Sequence, residues 1–159
     1  MKYLIDFISK IIHIVFELLQ YTVMLTAVLL IIMYLCGIHP YVVATGSMTP
    51  TIPEGSICFV NHNISYDSIV IGDIISFRIG EKTQVTHRVV RIDADGLVTQ
   101  GDANKTEDTS KVVPNNYTGK TVWSVPKIGY IVEFMKSRTG KILAGTVFLI
   151  LFVSVIFKK

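Results

Sequence analysis

Cysteine is close to absent: Cys36 and Cys58 are the two in 159 residues. Cys36 lies inside an apolar run, out of reach of Cys58, so the chain has no disulfide framework of the kind that holds small secreted domains together. An oxidising compartment is therefore not required, and an exported location is not excluded. Net charge is scarce as well. The formal balance is +3, and between residues 40 and 138 ten Lys/Arg are matched by ten Asp/Glu. A neutral middle offers no electrostatic footprint for nucleic acid. Internal repeats and low-complexity segments are also missing, which excludes repeat architectures and long linkers.

What the chain does have is apolar length at both ends. Residues 18–38, LLQYTVMLTAVLLIIMYLCGI, carry no charge. At about 1.5 Å per residue such a run reaches roughly 30 Å, the thickness of a bilayer core. It is longer than the apolar core of a cleaved leader, so it reads as a retained transmembrane anchor. Residues 142–157 form a second uncharged run, closed by Lys158 and Lys159. With Gly140 and the stem of Lys141 added, residues 139–157 are expected to span a second time. Residues 1–17 read as an amphipathic helix, with Asp6, Lys10, His13 and Glu17 recurring at helical spacing. That polar stripe suits the membrane interface and leaves room for partner membrane subunits. Two spans place both termini on one side. The surplus lysines (Lys2, Lys10, Lys141, Lys158, Lys159) put that side in the cytoplasm. The middle of the chain is then extracytoplasmic, with the plasma membrane expected ahead of the endoplasmic reticulum.

Residues 39–138 change pattern. Short β-rich runs at 57–61, 68–71, 74–79, 85–93, 97–100 and 121–125 alternate with turn signals such as Pro53-Glu54-Gly55, Gly72-Asp73 and Asp95-Gly96. The spacing predicts a mainly β, antiparallel domain held between the two spans. KIGYIVEFMK, residues 127–136, is apolar and aromatic and is expected to lie on the membrane surface, with Tyr130 and Phe134 at headgroup depth.

One turn stands out because it follows the anchor so closely. In TGSMTP, Ser47 sits between Gly46, which allows a tight bend, and Met48-Thr49-Pro50, where the proline holds Thr49 extended. Such serines commonly bond only backbone. A reactive one needs a base. His13 belongs to the N-terminal helix, His39 to the membrane exit and His62 to a turn. His87 lies mid-strand in VTHRVV, with neither face of the strand cleanly apolar. A half-buried imidazole there is either a satisfied core histidine or a base. QGDANKTED, residues 100–108, supplies Asp102, Glu107 and Asp108 in a loop, which is equally an amide-capping surface turn.

TGSMTPTI, GDIISF, VTHRVV and QGDANKTED occur in this order, and together they resemble the successive boxes of type I signal peptidases. IGYI at 128–131 resembles a further segment. A histidine at position 87 is similar to the endoplasmic-reticulum-type branch, found also in archaea and spore-forming Gram-positive bacteria; the other bacterial branch has lysine there. The resemblance implies a signal-peptidase-type β domain and a membrane-bound serine endopeptidase that removes signal peptides from exported preproteins. It implies Ser47 as nucleophile, His87 as general base, Asp108 as the acid completing the triad, and Asp102 as a second functional aspartate of more structural role. The oxyanion would be met by the Ser47 N–H with help from the Thr45 hydroxyl. No cofactor and no metal are implied. The partners are preprotein signal peptides with small residues at the cleavage site and the lipid bilayer, with no nucleic acid. An inactive module of the same ancestry, serving as a binding or assembly subunit, is the alternative.

Overall fold

The computed structural model of the chain describes residues 2–80 and 83–156. Helix α1 runs from Lys2 to Leu35 without a break, so the amphipathic segment and most of the apolar run that follows it are one helix. Among the described residues, His13–Leu35 is the stretch long and apolar enough to cross a membrane. The helix stops three residues before the expected end of the span, and Ile38 already belongs to a strand. Gly37 is the cause. Its φ of +75° is the left-handed conformation that ends helices, and its N–H turns back to the Tyr34 carbonyl at 3.0 Å. A side chain there would also strike the Asn63 side chain at 2.6 Å. Asn63 in turn donates from Nδ2 to the Cys36 carbonyl at 3.0 Å, and the His62 N–H donates to the Gly37 carbonyl at 2.9 Å. His39 and His62 stack with ring centroids 4.2 Å apart. Helix α1 is thereby fastened to the sheet rather than tethered by a free linker.

The strands are β1 (Ile38–Val42), β2 (Ile57–Asn61), β3 (Ile74–Ile79), β4 (Thr83–Asp93), β5 (Gly96–Gln100) and β6 (Tyr117–Val125). They form one antiparallel sheet in the order β1-β2-β6-β3-β4-β5. Proline in β1 is tolerated because β1 is an edge strand. Strand β6 begins four residues earlier than expected; Gly119 lets it pass the Asn61 carbonyl, which a Cβ would meet at 2.5 Å. Residues 68–71, expected as a strand, are not one. Tyr66–Ser68 makes a single 3-10 turn, the Val70 N–H is taken by the Asp73 carboxylate at 3.1 Å, and the Gly72 N–H by the Val89 carbonyl at 2.8 Å. Local side-chain bonding has replaced the ladder there. Ile69 plugs the core while Val70 and Ile71 stay exposed.

Two apolar clusters hold the sheet. One gathers Ile69, Ile75, Phe77, Val89, Leu97 and Val112; the other gathers Met48, Ile52, Cys58 and Val60, with Tyr41, Val43 and Ile74 against them. The expected surface segment is helix α2 (Ile128–Lys136), and α3 (Arg138–Ile156) follows it. Gly129 docks α2 on the turn before β2, donating to the Gly55 carbonyl at 2.8 Å, with the Tyr130 ring lying over Gly55. Phe157, Lys158 and Lys159, which close the expected second span, and the turn residues Glu81 and Lys82 lie outside the described residues.

Candidate active site

Met48 and Ile52 are almost wholly inaccessible, at 1% and 2% exposure. Burying each contributes roughly 1.5–3 kcal/mol, so the segment around Ser47 is anchored by two core side chains. Within it the Thr49 N–H donates to the Gly46 carbonyl at 3.0 Å and the Ile52 N–H to the Met48 carbonyl at 2.8 Å. From the other side, the Ala103 N–H donates to the Ser47 carbonyl at 2.8 Å. Gly101 lies so close that a Cβ would stand 2.7 Å from that carbonyl oxygen. The serine is thus gripped by its own turn and by the 101–104 loop.

Strand β4 presents His87 beside it. Ile75 of β3 is its cross-strand partner, and the ring meets Phe77 edge-on at a centroid distance of 6.3 Å. The imidazole is 8% exposed. Its Nε2 lies 3.1 Å from Ser47 Oγ, and its Nδ1 lies 2.6 Å from Asp108 Oδ2. A carboxylate oxygen only accepts, so Nδ1 carries the hydrogen, and Nε2 of the neutral ring is left to accept from the serine hydroxyl. Three residues separated by 40 and 21 positions in sequence therefore form one hydrogen-bonded line. The Thr45 hydroxyl stands 3.4 Å from Ser47 Oγ.

Asp102 lies apart from that line. It receives two bonds from the Arg88 guanidinium, Nε to Oδ1 at 2.9 Å and Nη2 to Oδ2 at 2.7 Å. This pairing holds the Asp102 carboxyl below the usual carboxylate range. Arg88 also donates to the Gly72 carbonyl at 2.9 Å. The pair therefore clamps the start of the 101–108 loop to the strand that carries His87. Glu107, the third acid of the loop, pairs outward with Arg91 at 3.2 Å. Cys58 is buried and its thiol is pushed up to about 11, so it is no nucleophile near neutral pH. His39 and His62 share the joint between α1 and the sheet, where Tyr41 Oη meets His62 Nε2 at 3.1 Å.

Two residues not singled out in the sequence belong here. Arg88 supplies the clamp just described. Thr99, fully buried on β5, donates from Oγ1 to Asp108 Oδ2 at 2.6 Å. The signal for Thr99 was positional. Val89 pairs with Thr99 and Arg88 with Gln100, which sets Thr99 on the same face as His87 and diagonal to it. That register depends on strand pairing and cannot be read from either strand alone.

An open groove of about 470 Å³ leads to Ser47 and His87. One wall is the Tyr41–Thr45 segment, the other is Thr83–His87, with Ile79 at the side. Among the described residues no group of three or more His, Cys, Asp or Glu side chains is placed to hold a metal ion.

A family model described as signal peptidase, peptidase S26, matches residues 15–150. Signal peptidase I W of Bacillus subtilis (strain 168) is 35% identical over 85 residues, which cover 48% of this chain and 45% of that protein. The match thus spans under half of the length of the curated relative. The family match takes in the serine turn, the histidine strand, the acidic loop and most of both terminal helices, and the Bacillus relative agrees with the spore-former branch. The chain belongs to the signal peptidase family, peptidase S26.

Proposed function

We propose that the protein is a membrane-bound serine endopeptidase that removes N-terminal signal peptides from exported preproteins. One observation carries most of the weight: Ser47 Oγ, His87 and Asp108 are joined at 3.1 Å and 2.6 Å. In this reaction Ser47 Oγ attacks the scissile carbonyl carbon while its proton passes to His87 Nε2. Asp108 holds the ring in the Nδ1–H tautomer and stabilises the imidazolium. The tetrahedral oxyanion is met by the Ser47 N–H and the Thr45 hydroxyl; one such donor typically lowers the barrier by about 3 kcal/mol. The C–N bond then breaks, the imidazolium gives its proton to the leaving amine, and the signal peptide remains as an ester on Ser47. Water, activated by the same imidazole, hydrolyses the ester. Asp102 acts through structure, by way of Arg88.

The groove favours an extended substrate. A peptide between Tyr41–Thr45 and Thr83–His87 can pair with strand backbone on either side, and the walls leave shallow space for small side chains at the cut. Membrane placement suits this substrate. Twelve residues separate the end of α1 at Leu35 from Ser47, at most about 43 Å of extended chain, and pairing in β1 shortens that path, which keeps the serine near the bilayer where a signal peptide leaves its apolar core. Helix α3 serves as the second span, α2 lies at the surface, and both termini face the cytoplasm.

The test is full-length protein in detergent with a synthetic preprotein whose apolar core ends in Ala-X-Ala. Mass spectrometry should find one cut after the second alanine, and Ser47→Ala and His87→Ala should each abolish it with the fold intact. Wild-type cleavage by folded Ser47→Ala would defeat the proposal.

A further inference from the structure

Thr99 is assigned no role by the resemblance, yet it touches Asp108 twice. Its backbone carbonyl accepts the Asp108 N–H at 2.8 Å, and its hydroxyl donates to Asp108 Oδ2 at 2.6 Å. That oxygen is the one that receives His87 Nδ1–H. Thr99 is 0% exposed and the Asp108 side chain 18% exposed, so solvent competes little for either contact. Its neighbours fix it in turn: it pairs with Val89 in the β4–β5 ladder, and a β-branched side chain has few χ1 choices there. Asp108 comes from a loop rather than a strand, and loop residues hold catalytic geometry less well than strand residues do. Among the described residues, Thr99 of β5 is the part of the sheet that reaches it by both main chain and side chain.

The geometry points to Thr99 as a positioning residue for the proposed reaction: its hydroxyl locks the Asp108 carboxylate onto His87, so that the ring keeps the tautomer and the aim that Ser47 needs. The inference rests on the serine-peptidase reading above. Two donors on one carboxylate oxygen fix its direction where a single donor would let the group swing. Removing the threonine hydroxyl removes a charge-assisted bond from a partly buried carboxylate, a loss that converts to roughly 10- to 100-fold in rate when it is felt in the transition state.

The experiment compares full-length Thr99→Val, Thr99→Ser and wild type on the Ala-X-Ala preprotein, with Asp108→Ala and the Thr99→Val/Asp108→Ala double variant. Valine keeps the shape and deletes the donor; serine restores the donor. The expected result is a kcat about 10- to 100-fold lower in Thr99→Val, with KM within about threefold, and recovery by Thr99→Ser to within a few-fold of wild type. In the Asp108→Ala background the valine substitution should cost no further rate, because its effect passes through the carboxylate. The sole tryptophan, Trp123, reports folding of every variant by its fluorescence. A folded Thr99→Val enzyme with kcat within twofold of wild type overturns the inference. So does an equal loss with and without Asp108, or a Thr99→Ser variant as slow as Thr99→Val. If Ser47→Ala, run alongside, cuts like wild type, the peptidase reading fails first and takes this inference with it.

Discussion

Gly101→Ala is the substitution whose effect can be worked most fully from the structure. Gly101 has no strained φ, so the change costs nothing in backbone conformation and acts through space alone. The added Cβ would lie 2.7 Å from the Ser47 carbonyl oxygen and 2.8 Å from Asn104 Nδ2. Ordinary contact begins at 3.4 Å, so the serine carbonyl must retreat by 3.4 − 2.7, or 0.7 Å. The Asn104 amide is a side-chain end and can turn aside. The carbonyl cannot do so independently, because the next residue is Met48, which is locked in the core at 1% exposure. The displacement therefore passes to Ser47 itself, and the 3.1 Å approach to His87 Nε2 lengthens or tilts. Misplacing a reacting group by about 1 Å costs on the order of 100-fold, so a shift of this size should lower kcat by roughly 10- to 100-fold. Overpacking should also cost about 1–3 kcal/mol of stability. The assay is steady-state cleavage of the Ala-X-Ala preprotein by full-length enzyme, with Trp123 fluorescence followed on heating. Gly145→Ala is the matched control: nothing lies within 4 Å of its would-be Cβ, and both readouts should stay near wild type. A folded Gly101→Ala enzyme working at the wild-type rate would refute the claim that the 101–104 loop sets the serine's position.

The two aspartates should separate cleanly. Asp108→Asn should lower kcat by roughly 10³- to 10⁴-fold at neutral pH with KM little changed, because a neutral amide carries no charge to stabilise the imidazolium and can turn its NH2 to Nδ1, which selects the other tautomer; Ser47→Ala should cost more. A smaller loss from Asp108→Asn than from Asp102→Asn would exchange their roles. Asp102→Asn should act on stability, at about 1–3 kcal/mol near pH 7, through the weakened bonds from Arg88. The sign follows from its lowered carboxyl: the stabilisation is complete above the unfolded value near 3.9 and is lost as pH falls through the lower folded value. Thermal unfolding of wild type and Asp102→Asn should therefore differ at pH 7 and converge below about pH 4, and a gap that stays constant to pH 2.5 would contradict the Arg88 account.

Much of this fold was legible where a signal was local. The apolar run of α1, the alternation of β4 and the turn residues before β2 and β5 each act through neighbours in sequence, and each appears close to its expected place. The misjudged places are those where a distant group decides. Helix α1 ends at Leu35, short of the apolar run's end, because Asn63 and His62 close around Gly37. Residues 68–71 had strand-forming side chains, but the Asp73 carboxylate took the backbone donor a ladder would need. The site was readable in a similar proportion. Ser47, His87 and Asp108 could be chosen as residue types, while their meeting could come only from resemblance, since no spacing of 40 and 21 residues dictates contact. Arg88 and Thr99 were invisible for the same reason: the first depends on where the 101–108 loop returns, the second on the β4–β5 register.

The central claim is a covalent one, and it can be observed directly. Full-length enzyme mixed with excess Ala-X-Ala preprotein, quenched in acid within one turnover and digested, should yield the peptide containing Ser47 carrying the signal-peptide acyl group as an ester. The same peptide from Ser47→Ala or His87→Ala should be unmodified, with no mature product released. Turnover by Ser47→Ala, or an acyl group found on another residue in wild type, would contradict attack by Ser47 with His87 as its base.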